Sequence, residues 1–482
     1  MSSTFVPAPL PEVIQGGMGA NISSWQLAST VARHGGLGVV SGVAPDLLLA
    51  RWLQDGDADG RVRAALAEYP DQDFVAATLR KFFRDGGRPP GTPYRPIGKL
   101  DHHQRLDSVR LTVLATYVLV HLAKQGHDGF VGINLLEKIQ LWTPAALLGA
   151  MIAEVDVVLV GAGVPAHLPR LITGIAEGRP VTMPIDVVGA QAGDGFSITL
   201  DPREVVPGLQ FPLKRAFFLA IISSHVLGQY LARDPETRPD GFVVELPNAG
   251  GHSAPPRRME LDARGEPIYG PRDDVDLAKL ATVGLPFWLA GGYATPEKLR
   301  EAQAAGAVGI QVGTAFALSD ESGMTPPVRE VLRSRIRADE LYVRNDPLAS
   351  PTGFPFKVVQ LEGTVADPTV YGARERICDL SYLRTMYRRA DGSIGYRCPS
   401  EPVDAYLRKG GQADDTVGRM CLCNGLMATT GLAQVRGEGV EPYVVTLGAD
   451  RAQLEGLLDR HEDGWSAADV LAWLRAEVPQ TV

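Results

Sequence analysis

A histidine that directly follows two glycines is the side chain best suited to chemistry in this sequence. The stretch from 245 to 252 reads Glu-Leu-Pro-Asn-Ala-Gly-Gly-His, so His252 comes directly after Gly250 and Gly251. Histidine titrates near neutral pH and can serve as an acid, a base or an electrostatic partner. Glycine has no Cβ and lets the adjacent backbone approach a bound group closely. We therefore predict that His252 is catalytic, with a structural hydrogen bond as the alternative.

Three further glycine-rich turns could hold a bound group. The first contains Gly17-Met18-Gly19, whose bare backbone could pass close to something flat or bulky. The other two follow later apolar runs and contain Gly291-Gly292 and Gln311-Val312-Gly313-Thr314. Bare N–H groups, a helix N-terminus and a threonine hydroxyl are donors that suit phosphate. The last two turns therefore predict a phosphate site, and tight turns without a ligand are the alternative for all three.

No metal site is predicted. The adjacent residues His102 and His103 point in different directions in either a helix or a strand, so they form a poor ligand pair. The four cysteines lie in the last quarter of the chain, and their spacing matches no zinc or iron–sulfur pattern. We interpret them as free thiols: Cys378, Cys398, Cys421 and Cys423.

Eight short apolar runs, rich in valine and isoleucine, would position these residues. They span 13–16, 37–41, 130–134, 156–160, 180–187, 241–246, 286–290 and 308–312. Runs that are apolar on both faces are typical of parallel strands covered by helices. Helical stretches separate them, with the clearest start at Thr295-Pro296-Glu297. The pattern predicts an α/β protein, a (β/α)8 TIM barrel, with an open doubly wound sheet as the alternative.

Two long connections and a long tail extend this predicted barrel. The barrel would span 1–335, with helical insertions near 46–126 and 188–240. Helices are predicted near 106–125 and 213–232, inside those insertions. The remainder, 336–482, is predicted to be an α-rich C-terminal extension that packs on the barrel and ends in an amphipathic helix at 467–477. Its content of tyrosine, phenylalanine, leucine and tryptophan is that of folded protein.

Composition excludes several classes of protein. The chain has 482 residues, 45% of them apolar and 21% charged, which is typical of a folded globular protein. The net charge of -9 argues against a nucleic acid or an anionic membrane as partner, because both need a basic surface. No membrane-spanning run and no secretory signal are found, so a cytoplasmic location is predicted.

Several motifs, taken together and in order, resemble one enzyme family. The chain is similar to the nitronate monooxygenases, formerly called 2-nitropropane dioxygenases. That family also includes FMN-dependent enoyl-thioester reductases and NAD(P)H:quinone reductases. The matching residues lie at 14–19, 27–28, 35–38, 132–135, 249–252, 289–292 and 311–314. The resemblance covers roughly residues 12–320 and implies an FMN-binding barrel.

The resemblance also implies roles for single residues. Gly17, Met18 and Gly19 would lie against the flavin ring, and Asn134 would hydrogen-bond near the ring or the ribityl chain. Gly250 and Gly251 would line the cofactor, and His252 would be the active-site histidine. The phosphate end would be held by Gly291, Gly292, Gln311, Val312, Gly313 and Thr314.

This sequence departs from the family pattern at three places. Glu245 stands where the family often has glutamine, so a carboxylate would accept from the ribityl hydroxyls and add negative charge near the flavin. The residues after His252 are Ser-Ala-Pro-Pro, where many members have a glycine two positions on. The tail is longer than in the shorter members.

The expected activity is oxidation of alkyl nitronates with O2 to a carbonyl compound and nitrite. One alternative is an NAD(P)H-dependent reductase of enoyl thioesters, of the enoyl-ACP type, or of quinones. Another is a flavin-free barrel that keeps the phosphate loops. The expected partners are a small-molecule substrate, either a nitronate or an enoyl thioester, and O2 or NAD(P)H as co-substrate. A homodimer is left open.

Overall fold

The computed structural model describes residues 8–437 and 439–477, and this part of the chain forms sixteen strands and eighteen α-helices. The strands, in chain order, are β1 Val13–Gln15, β2 Gly38–Ser41, β3 Val131–Leu136, β4 Val157–Gly161, β5 Val181–Pro184, β6 Ser197–Leu200, β7 Phe217–Ile222, β8 Gly241–Glu245, β9 Phe287–Ala290, β10 Gly309–Val312, β11 Val343–Asp346, β12 Phe356–Val359, β13 Thr385–Arg388, β14 Ile394–Arg397, β15 Val435–Arg436 and β16 Gly439–Val440.

The α-helices lie between and after these strands, and three short 3-10 helices occur at Gln140–Trp142, Ala413–Thr416 and Ala452–Leu454. The α-helices are α1 Trp25–Arg33, α2 Pro45–Gln54, α3 Arg61–Ala67, α4 Gln72–Phe82, α5 Leu106–Lys124, α6 Thr143–Ile152, α7 Leu168–Ala176, α8 Pro202–Val205, α9 His225–Arg233, α10 Leu277–Ala281, α11 Pro296–Ala304, α12 Thr314–Ala317, α13 Pro326–Arg337, α14 Pro368–Ala373, α15 Val403–Arg408, α16 Leu422–Thr429, α17 Glu455–Arg460 and α18 Ala467–Leu474.

Eight parallel strands form a closed barrel. Their order is β1-β10-β9-β8-β7-β4-β3-β2, and a parallel bridge between Ile14 and Leu37 joins the two ends. The amide of Gln15 donates to the carbonyl of Leu37 at 3.0 Å, and the side-chain Oε1 of Gln15 accepts from the amide of Val39 at 2.9 Å. The prediction of a TIM barrel is therefore confirmed, and the open sheet is excluded. Side chains such as Leu159, Phe217 and Trp288 fill the interior, so a ligand site is confined to the strand ends.

The fifth barrel strand was wrongly predicted. Residues 180–187 form one arm of a hairpin, because β5 pairs antiparallel with β6 outside the barrel. Its residues alternate between buried and exposed, as expected for a sheet with one face in solvent. The true fifth strand is β7, which lies in the stretch that we predicted as the helix 213–232. The hairpin β5–β6 and α8 therefore precede β7 in the chain.

The first insertion contains the longest helix. α2 to α5 lie between β2 and β3, and α5 matches the helix predicted near 106–125. α5 is long and apolar enough to cross a membrane by length and composition. However, 72% of its most apolar window is buried inside the protein, mainly against α2 and α6, as in the core helices of globular proteins.

Helix ends follow the capping signals in the sequence. The Thr295 side chain accepts from the amide of Lys298 at 3.2 Å and caps α11, and Gly306 follows that helix with φ +90°. Ser24 caps α1 in the same way, and Gly35 after it has φ +76°. Both glycines adopt the left-handed conformation that ends a helix, which fixes where the chain returns to the barrel.

The C-terminal extension lies against the barrel along several elements. Three hairpins, β11–β12, β13–β14 and β15–β16, are joined by α14 to α16, and α17 and α18 follow. The indole of Trp465 is buried and donates to the carbonyl of Ala315 at 2.8 Å. Tyr382 donates to the Asp46 carboxylate at 2.6 Å, which joins the extension to the first insertion. The predicted terminal helix is present as α18, three residues shorter than expected.

Candidate active site

One cavity of about 470 Å³ opens at the carboxyl ends of the barrel strands. It collects every residue that was predicted to be catalytic or to bind the cofactor, although those residues follow five different strands. The structure brings together Gly17, Met18, Gly19, Asn134, Glu245, Gly250, Gly251, His252, Gly291, Gly292, Gln311, Val312, Gly313 and Thr314. A cavity of this size is in the range that holds cofactors and drug-sized ligands.

The first glycine turn is held in place by a small hydrogen-bond network. The Gln15 side-chain amide donates to the Ser23 hydroxyl at 2.7 Å, and that hydroxyl accepts from the amide of Met18 at 2.8 Å. A Cβ on Gly17 would lie 2.0 Å from the Cβ of Asn134, so only glycine allows this approach of the loop to β3. The turn is therefore rigid where it borders the cavity.

Three glycines leave open space on the cavity side. A Cβ built on Gly19 or on Gly251 would meet no heavy atom within 4 Å. A Cβ on Gly313 would meet only the Met18 sulfur, at 3.8 Å. The Oε1 atom of Gln311, in the same cavity, is buried and has no hydrogen-bond partner. An open glycine cradle beside an unpaired acceptor fits a flat cofactor that carries its own donors.

The predicted phosphate end is shared with the C-terminal extension. Gly291 and Gly292 have φ +89° and +84°, conformations that L side chains rarely adopt. The amide of Gly448, in the extension, donates to the Thr314 hydroxyl at 2.8 Å, and that hydroxyl keeps its own hydrogen for a ligand. The carboxylate of Asp450 also lies at this end, beside Gly292, and it opposes an anion there. Any phosphate at this end therefore depends on the Thr314 hydroxyl and on backbone N–H donors.

His252 lies in the cavity wall under residues of the extension. Its Nε2 is 2.7 Å from the hydroxyl oxygen of Ser350, and its ring meets the edge of Phe356 with centroids 4.8 Å apart. Burial lowers the pKa of His252 to about 3, and the positive charge of Lys138 adds to that effect. The imidazole is therefore neutral at pH 7, with one nitrogen able to accept a hydrogen bond.

The Glu245 carboxyl has an unusually high pKa. Burial raises its pKa to about 7, and the nearby Lys357 opposes the shift. Burial in turn lowers the pKa of Lys357 to about 8, while its amine donates to the Ser253 hydroxyl at 2.5 Å. At neutral pH the Glu245 carboxyl is therefore only partly ionised, and it carries less negative charge than the sequence alone predicts.

Sequence reasoning missed several residues of this cavity. Lys138 stands in the loop after β3, where no motif marks it, and Gly448 comes from the extension. Ser350, also in the extension, is fully buried and contacts Nε2 of His252 without lining the cavity. The composition of the loop from 350 to 356 does indicate a role at the cavity, because its prolines and phenylalanines suggest a rigid segment able to cover the barrel mouth. Phe354 and Phe356 do line the cavity. No signal in the sequence marked Lys138.

Comparison with known proteins gives one distant relative. No family model matches the chain. A stretch of 174 residues, 36% of the chain, is 29% identical to a nitronate monooxygenase from Pseudomonas aeruginosa. The chain spans less than half of that relative, 46% of its length.

Solved structures align with most of the chain at low sequence identity and low TM-score. A nitroalkane oxidase from Streptomyces ansochromogenes is 16% identical, with 97% of this chain and 95% of that chain covered and a TM-score of 0.44. The enoyl reductase domain of MlnA from Bacillus amyloliquefaciens is 12% identical, with 96% and 93% covered and a TM-score of 0.49. The barrel assignment rests on the closed strand order of this chain and not on these likenesses.

Proposed function

We propose that this chain is an FMN-dependent oxidoreductase that oxidises alkyl nitronates. The observation that carries the proposal is the single cavity in which an open glycine cradle, the unpaired Gln311 oxygen and a neutral His252 meet. The distant nitronate monooxygenase relative supports the same class of reaction.

The residues present fit FMN by shape and by hydrogen bonding. Gly19, Gly251 and Gly313 leave room for a flat ring system and its chain, and Gln311 offers an acceptor for a donor on the cofactor. Thr314 and the backbone of the last two glycine turns would hold a monophosphate. FMN, when bound, supplies the electron acceptor that no side chain of this protein can provide.

His252 would serve substrates that arrive already deprotonated. A neutral imidazole has one N–H that can donate to an anion, but its lowered pKa makes it a weak proton acceptor at pH 7. A nitronate anion has already lost its α-proton, so its oxidation does not require His252 to remove a proton. Oxidation of a neutral nitroalkane does require that step. In the overall reaction two nitronate anions and one O2 give two carbonyl compounds and two nitrite ions. Ser350 would position the imidazole through the 2.7 Å contact at Nε2.

The extension would keep bulk water out of the site. Four residues of the extension line the cavity together with the glycine turns of the barrel: Phe354, Phe356, Tyr382 and Leu383. Apolar walls of this kind strengthen electrostatic interactions with a bound anion, because they lower the local dielectric constant.

A second candidate function is reduction of enoyl thioesters with NAD(P)H. One observation favours it: apolar side chains of α9 and α16 also line the cavity, namely Leu227, Leu422, Leu426 and Met427. An acyl chain would be buried favourably on such a surface. In this reaction His252 and its neighbours would stabilise charge on the thioester oxygen.

Anaerobic flavin spectroscopy separates the two candidates. We expect a yellow protein that releases FMN on denaturation, identified by mass. Ethylnitronate should bleach the flavin absorbance under anaerobic conditions, whereas NADPH should not. Rapid bleaching by NADPH, followed by reoxidation with crotonyl thioester, would establish the second candidate in place of the first. A colourless protein that binds neither FMN nor FAD would leave the flavin-free barrel.

A further inference from the structure

Lys138 lines the cavity and carries an unpaired amine. It follows β3 by two residues, and its Nζ is buried without any hydrogen-bond partner in the described residues. The amine lies over the ring of Phe354, 2.8 Å from the ring centroid. A buried amine normally has a partner, since leaving one unpaired costs free energy.

The neighbouring groups do not supply that partner. The Glu137 carboxylate accepts from the side-chain amide of Gln140 at 2.8 Å and makes no hydrogen bond to Lys138. His252 faces the same cavity, and Lys138 contributes to keeping it neutral. Burial lowers the pKa of Lys138 to about 7, an effect that Glu137 opposes and that a bound anion would also oppose. No described neighbour therefore forms a hydrogen-bonded ion pair with Lys138, and the cavity that Lys138 lines has room for an anion.

We propose that Lys138 binds the oxyanion of the substrate, with the ring of Phe354 beneath its amine. The inference rests on the proposed function and adds the residue that recognises the charge. The oxyanion has two sources in the candidate reactions: the nitro oxygens of a nitronate, or the thioester oxygen that becomes negative during reduction of an enoyl thioester. Lys138 serves both, because both present a negatively charged oxygen beside the flavin site.

The two sources differ in when the charge exists. A nitronate is an anion before it binds, so removing the Lys138 charge should raise KM or Kd and leave kcat less affected. An enoyl thioester becomes negative only in the transition state, so the same change should lower kcat with little change in KM. Loss of one charge-assisted contact corresponds to an effect of about 10- to 100-fold in either case.

The test uses the purified full-length protein and inorganic nitrate, a planar oxyanion that does not react. Calorimetry should show saturable nitrate binding to the wild type, weakened about 10-fold or more in Lys138→Met and largely kept in Lys138→Arg. Lys81→Met is the matched control, since the Lys81 amine also lies over a phenyl ring but is exposed and outside the cavity. It should bind nitrate like the wild type.

Several results would overturn the proposal. Absence of saturable nitrate binding to the wild type would do so without any variant, and so would equal binding by wild type and Lys138→Met. If Lys138→Met does not fold, Lys138→Gln provides a second neutral side chain that can hydrogen-bond to water. Failure of the flavin assays with intact, Lys138-dependent nitrate binding would refute the proposed function and leave this inference standing.

Discussion

Replacing Gly313 with valine should remove the flavin without unfolding the protein. A Cβ at this position would meet only the Met18 sulfur at 3.8 Å, an ordinary contact distance, and φ is −107°, which any residue adopts. The free energy of unfolding without ligand should therefore change by no more than about 1 kcal/mol. The added side chain would nevertheless occupy the space through which a phosphate must approach the backbone N–H donors.

The magnitude of the effect follows from ligand linkage. A ligand present at 100 times its Kd stabilises the folded protein by about 2.7 kcal/mol, and a variant that cannot bind loses all of it. We expect wild-type protein to gain Tm on addition of FMN and Gly313→Val to gain none. Flavin content after purification, read from the absorbance spectrum, should fall to background.

A matched variant separates loss of binding from damage to the fold. Gly270 also has no heavy atom within 4 Å of a built Cβ and no positive φ, but it lies outside the cavity. Gly270→Val should keep full flavin content and the full shift in Tm. Normal flavin content in Gly313→Val would refute the reasoning and move the phosphate site elsewhere.

Three further predictions concern His252, the buried carboxyl of Glu245 and the extension. His252→Asn should keep FMN and, because the lowered pKa makes His252 a weak proton acceptor, should lower turnover of neutral nitroalkanes and of preformed nitronate to a similar extent in steady-state assays; a loss of about 10²–10⁴-fold confined to neutral nitroalkanes would instead show that His252 abstracts the α-proton. Because the pKa of Glu245 is raised from 4.5 to about 7, its protonation stabilises the folded protein below about pH 4.5, and that contribution is lost as pH rises through 7. In the wild type the free energy of unfolding should fall between about pH 5 and 8, and in Glu245→Gln this fall should be smaller by at most about 3 kcal/mol. Urea titrations at several pH values measure it, and an unchanged pH dependence would contradict the raised pKa of Glu245. Limited proteolysis should leave the extension attached, and a stable, fully active fragment ending near residue 335 would show that it does not contribute to the site.

Local signals in the sequence were sufficient for most elements. Apolar runs of β-branched residues marked seven of the eight barrel strands, and capping residues such as Thr295 marked helix ends, because both depend on neighbours in the chain. The exception was β7. Its apolar residues resemble a buried helix as much as a buried strand, and only pairing with β4 and β8 distinguishes the two.

The sequence by itself determined which turns could approach a ligand, since Gly17, Gly313 and His252 stand at the ends of recognisable strands. Only the tertiary structure decided what surrounds them. The Ser350 hydroxyl at His252, the Gly448 amide at Thr314 and the unpaired Lys138 amine come from segments far apart in the chain. Contacts of this kind, and the burial that shifts the pKa of Glu245, arise when the barrel closes and the extension packs across its mouth, and no local pattern of residues encodes them.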